Sequence, residues 1–201
     1  MSAAATKWLR HLGWGLTLVW FDFRIGGFDV LPDVIGYLLA ASALSEASST
    51  YRTMRSARTL ALLLAAGAVP GLIFVQPGLL GNIEQYELIP LYAHIYIQAM
   101  QLLHLLLMLL ICWGMDGIAD KANARELQGS IRVRRMSYGV VGVSMQIFYP
   151  FIFTLEASVW VYMLIAGMVL MVVLDLLIIR LAFRLSYVEP LIRGGRLDVH
   201  V

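Results

Sequence analysis

Residues 88–113 contain not one Asp, Glu, Lys or Arg, and residues 159–183 contain only Asp175 and Arg180. A helix needs about 20 residues to cross the hydrocarbon layer of a bilayer, so each run is long enough to span one. Shorter apolar runs accompany them, and the chain as a whole is 60% hydrophobic and 14% charged, with a mean hydropathy of +0.79. A soluble domain carries roughly 25% charged residues. Lipid offers backbone amides no partner, so spanning segments close their hydrogen bonds internally, as helices. The expectation is an all-α polytopic membrane protein: one transmembrane domain over 1–201, a six-helix bundle with spans at about 8–25, 32–47, 59–76, 88–113, 138–154 and 159–183.

Local signals place several of these boundaries. Lys7 and Arg10 precede the first run as they would in a signal peptide, but Asp22 and Arg24 interrupt it and no small-x-small cleavage site follows. It reads as a retained first span. Pro32 suits the first turn of the second helix, and Asp33 beside it is favoured by the positive end of the helix dipole. Gly36, Ala40, Ala43 and Ala47 follow as a stripe of small side chains, which lets a second backbone approach closely. In the third run Pro70 should kink the helix, with neighbouring helices supplying the lost hydrogen bond.

The charges sort by connection. Lys7 and Arg10 sit at the N-terminus, Arg52, Arg55 and Arg58 in a linker over 45–58, and Lys121, Arg125, Arg132, Arg134 and Arg135 in a loop expected over 116–137. Arg184, Arg193 and Arg196 follow the last span. The other connections hold acids: Asp22, Asp29 and Asp33, then Glu84 and Glu87, then Glu156, with Arg24 as their single cation. Under the positive-inside rule, both termini are cytoplasmic in a multi-pass protein of the cell membrane.

Several functions find no support. A formal net charge of +2 and no basic surface interleaved with aromatics speak against nucleic acid as a partner. Cys112 is alone, which precludes an internal disulfide, and reads as a buried, inert thiol. There is no P-loop, no GxSxG, no dinucleotide fingerprint, no HExxH and no CxxC. An enzyme is not expected, nor a catalytic residue, a cofactor or a metal. Two His residues ten positions apart on one helix, His94 and His104, cannot chelate one ion together.

Polar chemistry concentrates in two places. The stretch FDFRIGGFDVLPDVIGY carries Asp22, Arg24, Asp29 and Asp33 around the Gly26-Gly27 pair. It fits a tight exterior turn between two complete spans. It fits equally a hairpin of short helices whose polar apex sinks into the outer leaflet, lining water or protein. Arg24 among three carboxylates serves either a structural ion-pair cluster or a receptor for an anionic group. The second place is the fourth span, where His94, Gln98 and Gln101 lie at i, i+4, i+7 on one face, with His104 at its edge. Such a stripe must face other helices or water. It is either interhelical glue or a hydrophilic path with a titratable His94. Asp175 is the lone acid deep in the last span. Counted from the exterior ends of their helices, Asp175 and His104 reach similar depth, and we expect them to form a buried polar pair.

The run FDFRIGGFDVLPDVIGYLL resembles a segment near the N-terminus of small bacterial polytopic integral membrane proteins, over the first two helices. That likeness implies no activity. In size and topology the chain is similar to the substrate-binding subunits of energy-coupling-factor vitamin transporters, which implies solute binding without matching any motif residue by residue.

Two functions are therefore expected ahead of others. One is small-solute binding or transport, with an outward-facing polar pocket from Asp22, Arg24, Asp29, Asp33, His94, Gln98 and Gln101 taking a small polar or ionic solute. The other is a non-transporting membrane subunit or regulator whose basic cytoplasmic loops, with Arg132, Arg134 and Arg135, dock a protein partner. Those arginines serve equally as topology determinants against anionic headgroups. An intramembrane enzyme acting on lipid would need a nucleophile or metal that the chain does not offer.

Overall fold

The computed structural model describes residues 4–20, 24–25, 28–29, 33–49, 51–74, 90–153 and 157–195, and is all-helical apart from one minimal ladder. The six helices are α1 (Ala4–Trp20), α2 (Asp33–Ser48), α3 (Arg52–Phe74), α4 (Leu91–Lys121), α5 (Arg125–Phe148) and α6 (Ala157–Gly195). A 3₁₀ turn, Tyr149–Phe153, follows α5. By length and composition, α4 and the stretch Ile165–Tyr187 of α6 can cross a membrane.

Successive helices pack antiparallel, as residue contacts at both ends show. Gly15 meets Ala40 and Val19 meets Gly36 between α1 and α2; Met54 meets Gly114 and Gly67 meets Met100 between α3 and α4. Leu105 meets Gly142 between α4 and α5, and Met145 meets Gly167 between α5 and α6. Helix α1 also packs on α6, with Trp14 edge-on to Phe183 at a centroid distance of 6.0 Å. The bundle therefore closes on itself. Every Lys and Arg whose side chain is described falls toward one end, which also carries the α2–α3 and α4–α5 turns.

Small residues set the closest approach. A Cβ on Gly15 would stand 2.7 Å from the backbone nitrogen of Ala40, and one on Gly36 would stand 2.8 Å from that of Val19. The expected stripe Gly36, Ala40, Ala43 and Ala47 is buried throughout, facing Leu9, Leu12 and Leu16 in the core. Helix α3 runs through Pro70. The hydroxyl of Tyr96 on α4 donates at 2.7 Å to the carbonyl of Gly67, one residue beyond the carbonyl that Pro70 leaves without its helical partner.

Three expectations need correction. The loop expected over 116–137 is helix: α4 runs on to Lys121, α5 starts at Arg125, and only 122–124 turn. The turn is a Schellman closure. Asn123 takes φ 52°, while Ala124 N–H donates to Ala119 and Asn123 N–H to Asp120. The linker over 45–58 likewise shrinks, because α2 reaches Ser48 and α3 begins at Arg52; polar residues extend both helices beyond the apolar runs. Finally, α1 ends at Trp20 rather than near 25, and Arg24–Ile25 pairs antiparallel with Phe28–Asp29. Asp22, Gly26, Gly27, Pro32, Glu84, Glu87 and Glu156 lie outside the described residues.

The α1–α2 contact yields a paired prediction. Gly15→Ala forces a methyl into the α2 backbone and should destabilise the protein by about 1–3 kcal/mol. Gly117→Ala, where an added Cβ meets nothing within 4 Å, should stabilise it by roughly 0.5–1 kcal/mol through helix propensity. Thermal unfolding of the two purified variants checks the opposite signs.

Candidate functional site

Asp175 is completely buried in α6. Neither of its carboxylate oxygens makes a hydrogen bond of good geometry, yet three polar side chains from three other helices converge on it. His104 of α4 brings Nε2 to 3.8 Å from Asp175 Oδ1. The other ring nitrogen, Nδ1, lies 3.0 Å from the hydroxyl of Tyr37 on α2, whose ring stands edge-on to the imidazole. Tyr138 of α5, fully buried, is close enough to interact with the Asp175 carboxylate, although its hydroxyl makes no hydrogen bond of good geometry.

The local sequence explains how each group reaches this point. Tyr37 follows Gly36, so the tight α1–α2 contact carries its ring inward. Tyr138 sits four residues, one turn, beyond Arg134, whose Nη1 donates at 2.7 Å to the carbonyl of Leu177 on α6. That bond sets α5 against α6 one turn from Asp175. Leu105 packing on Gly142 draws α4 and α5 together beside His104.

Such a cluster can hold and relocate a proton. With an imidazolium and a carboxylate it is an ion pair; with a neutral imidazole and a carboxylic acid it is uncharged. The two forms differ by the position of one proton between Asp175 and His104 Nε2. Tyr37 can donate to Nδ1 or accept from it, so it accommodates either tautomer.

A second polar group lies nearer the end away from the basic residues. His94 is buried, with Nδ1 2.8 Å from the hydroxyl of Tyr149 in the 3₁₀ turn. Gln98, one turn on, buries its Nε2 with no hydrogen-bond partner. Gln101 shares their face of α4, as does Leu105, yet Gln101 is exposed and Leu105 buried. Alongside, the α6 side chains of Tyr162, Met163, Ile165, Met168, Val169 and Leu170 are all exposed.

The remaining expected pocket residues are placed differently. Asp33 stands exposed in the first turn of α2. The ladder sets Arg24 opposite Asp29 in register, and their side chains, like Asp22 entirely, lie outside the described residues. Among the described residues, no three His, Cys, Asp or Glu side chains could hold a metal ion. Cys112 is free and buried.

The basic loop residues face inward more than expected. Arg132 Nε lies 3.2 and 3.3 Å from the two oxygens of Asp116, and Arg135 Nη1 lies 3.4 Å from Asp116 Oδ2 while stacking over Trp113. Together with the Arg134–Leu177 bond, these contacts fasten α5 to both flanking helices. The sequence reading did not include Tyr37 and Tyr138 in a site. The available signal was a hydroxyl-bearing aromatic deep in a span where Phe would pack without needing a partner.

No family model, curated protein or solved structure matches the chain.

The central pair should be energetically coupled. In a double-mutant cycle of His104→Gln and Asp175→Asn, unfolding free energies should depart from additivity by about 0.5–3 kcal/mol. Additive effects would mean that the 3.8 Å approach carries no interaction.

Proposed function

We propose that the chain is a multi-pass protein of the cell membrane, with six spans and both termini cytoplasmic, that transports a small polar or ionic solute in exchange for, or together with, a proton. The carrying observation is Asp175: an acid with no exposed surface, approached by one imidazole that is itself bonded to a phenol on its far side, with a second phenol nearby. Ionisable groups inside a membrane-spanning bundle belong by default to ion and proton pathways.

The membrane reading draws on what surrounds that centre. Leu91, Tyr92, Ile95, Trp113, Val133, Met136 and Tyr162 each leave more than 60% of their surface exposed, whereas a soluble monomer rarely exposes apolar patches of that extent. The gathering of described cations at one bundle end supports the orientation. On this reading the end away from the described cations faces outward. Solute enters along the α4 face of His94, Gln98 and Gln101, with Arg24, Asp29 and Asp33 at the mouth, and meets the proton site at His104 and Asp175. The docking-subunit alternative is less favoured, because Arg132 and Arg135 are already paired with Asp116 within the bundle.

Two measurements test this. In a Cys112→Ala background, Gln101→Cys should react with a membrane-impermeant maleimide on intact cells, while Arg125→Cys should react only after permeabilisation. An unreactive position 101 would mean that no water reaches it, and reversed sidedness would invert the topology. Proteoliposomes enclosing a pH-sensitive dye should report a pH change on adding a transported solute from a panel of amino acids, organic acids and nucleobases. Asp175→Asn should abolish the signal in folded protein. If no panel member moves protons through folded wild-type protein, or the variant moves them equally, the proton-coupled reading fails.

A further inference from the structure

At the basic end, the described arginines of α5 and α6 divide into two groups. Arg132 and Arg135 share Asp116. Arg134, Arg180 and Arg184 form no ion pair with any described carboxylate. Arg134 reaches across to the Leu177 carbonyl at 2.7 Å. A helix carbonyl points toward the C-terminus, and there Arg180 and Arg184, three and seven residues on, share one face of α6. Both are exposed. Partial burial first, and then the charges of Arg180 and Arg184, hold the Arg134 guanidinium below its ordinary value. Three cations gathered without a counter-charge make an anion-attracting surface.

The surroundings narrow the anion. The face of α6 that carries Arg180 and Arg184 continues, away from the basic end, as Leu176, Val173 and Val169, all exposed. On α5 the exposed apolar side chains flanking Arg134 are Val133 and Val140. Tyr187, on the same α6 face beyond Arg184, is 69% exposed, as an aromatic at headgroup level would be. An anion seated on the arginines therefore has apolar surface running from it in one direction only, which matches an amphiphile rather than a free ion.

We propose that the outer surface along α5 and α6 binds an anionic phospholipid, its headgroup phosphate held by Arg134, Arg180 and Arg184 and its acyl chains lying along Val133, Val140, Val173 and Leu176. Arg is suited to this because its planar fork donates two parallel bonds to phosphate oxygens. The proposal rests on the membrane reading above and not on transport: the lipid site stands if the protein moves no solute.

The test is thermal stabilisation of the detergent-purified full chain, titrated with dioctanoyl phosphatidylglycerol, dioctanoyl phosphatidylcholine or inorganic phosphate. Phosphatidylglycerol should raise the midpoint at concentrations where the other two do not. Arg180→Gln with Arg184→Gln, both at exposed positions, should weaken the apparent affinity about tenfold or more, at roughly 1 kcal/mol per arginine. Arg52→Gln with Arg58→Gln, exposed at the same end, should leave it unchanged. The proposal is overturned if phosphatidylcholine or inorganic phosphate stabilises equally, if the α6 double variant responds like wild type, or if the α3 control loses the response as well. Failure of the membrane reading shows separately, as protein released from membranes by alkaline carbonate, and it would remove the lipid site with it.

Discussion

A carboxyl group with no access to solvent is the constraint around which this bundle is arranged. Even after relaxation, an ion removed from water retains a penalty of several kcal/mol, and losing one partner of a buried pair costs roughly 3–5 kcal/mol. Asp175 is fully buried, and the groups facing it come from α2, α4 and α5, each helix contributing one. No two adjacent helices could supply that set. Closure of the bundle, with α1 returning to α6, is what lets α2 present Tyr37 on the far side of His104.

The two halves of the molecule pack by different means. Helices α1 to α3 meet through Gly15, Gly36 and a run of buried alanines, so backbone lies near backbone. Helices α4 to α6 are held apart by larger residues, with single glycines receiving Leu105 and Met145. Methionine is adaptable and tolerates displacement, whereas a backbone contact at 2.7 Å for a missing Cβ leaves no latitude. The tight half fixes Tyr37, and the looser half carries His104, Tyr138 and Asp175. Latitude for rearrangement around Asp175 therefore lies with α4, α5 and α6.

Much of this was legible in the residues, because the physics that shapes it is one-dimensional. Long uncharged runs gave helices, and the small stripe on α2 gave its buried face. Counting depth from the helix ends placed His104 level with Asp175, since rise per residue is constant. What could not be read depended on azimuth and on neighbours. Gln101 shares a face with Leu105, yet one is exposed and the other buried. Helix over 116–137 was hidden because a hydropathy argument ends a span where charge begins, while the helix itself continues into water. The ladder had a signal that went unused. Phe21, Phe23 and Ile25 alternate with Asp22 and Arg24 ahead of Gly-Gly, which is the period of a strand and the punctuation of a hairpin.

The arginines of α5 bear on the centre through register rather than charge. Arg132 is 58% exposed in its side chain, so its bond to Asp116 contributes little to stability. Arg134 differs, since a charged donor on a main-chain carbonyl forms a bond roughly twice as strong as a neutral one. It lies one turn, about 5 Å, from Tyr138, and Leu177 lies two residues from Asp175. A slip of α5 along α6 would break that bond and withdraw the Tyr138 hydroxyl from the carboxylate in the same movement. The basic end is thereby clamped on both flanks of α5, while the opposite end is held by His94 on Tyr149 and by adaptable methionine contacts. Asp175 sits at the boundary between those regimes, buried where the packing passes from clamped to adaptable.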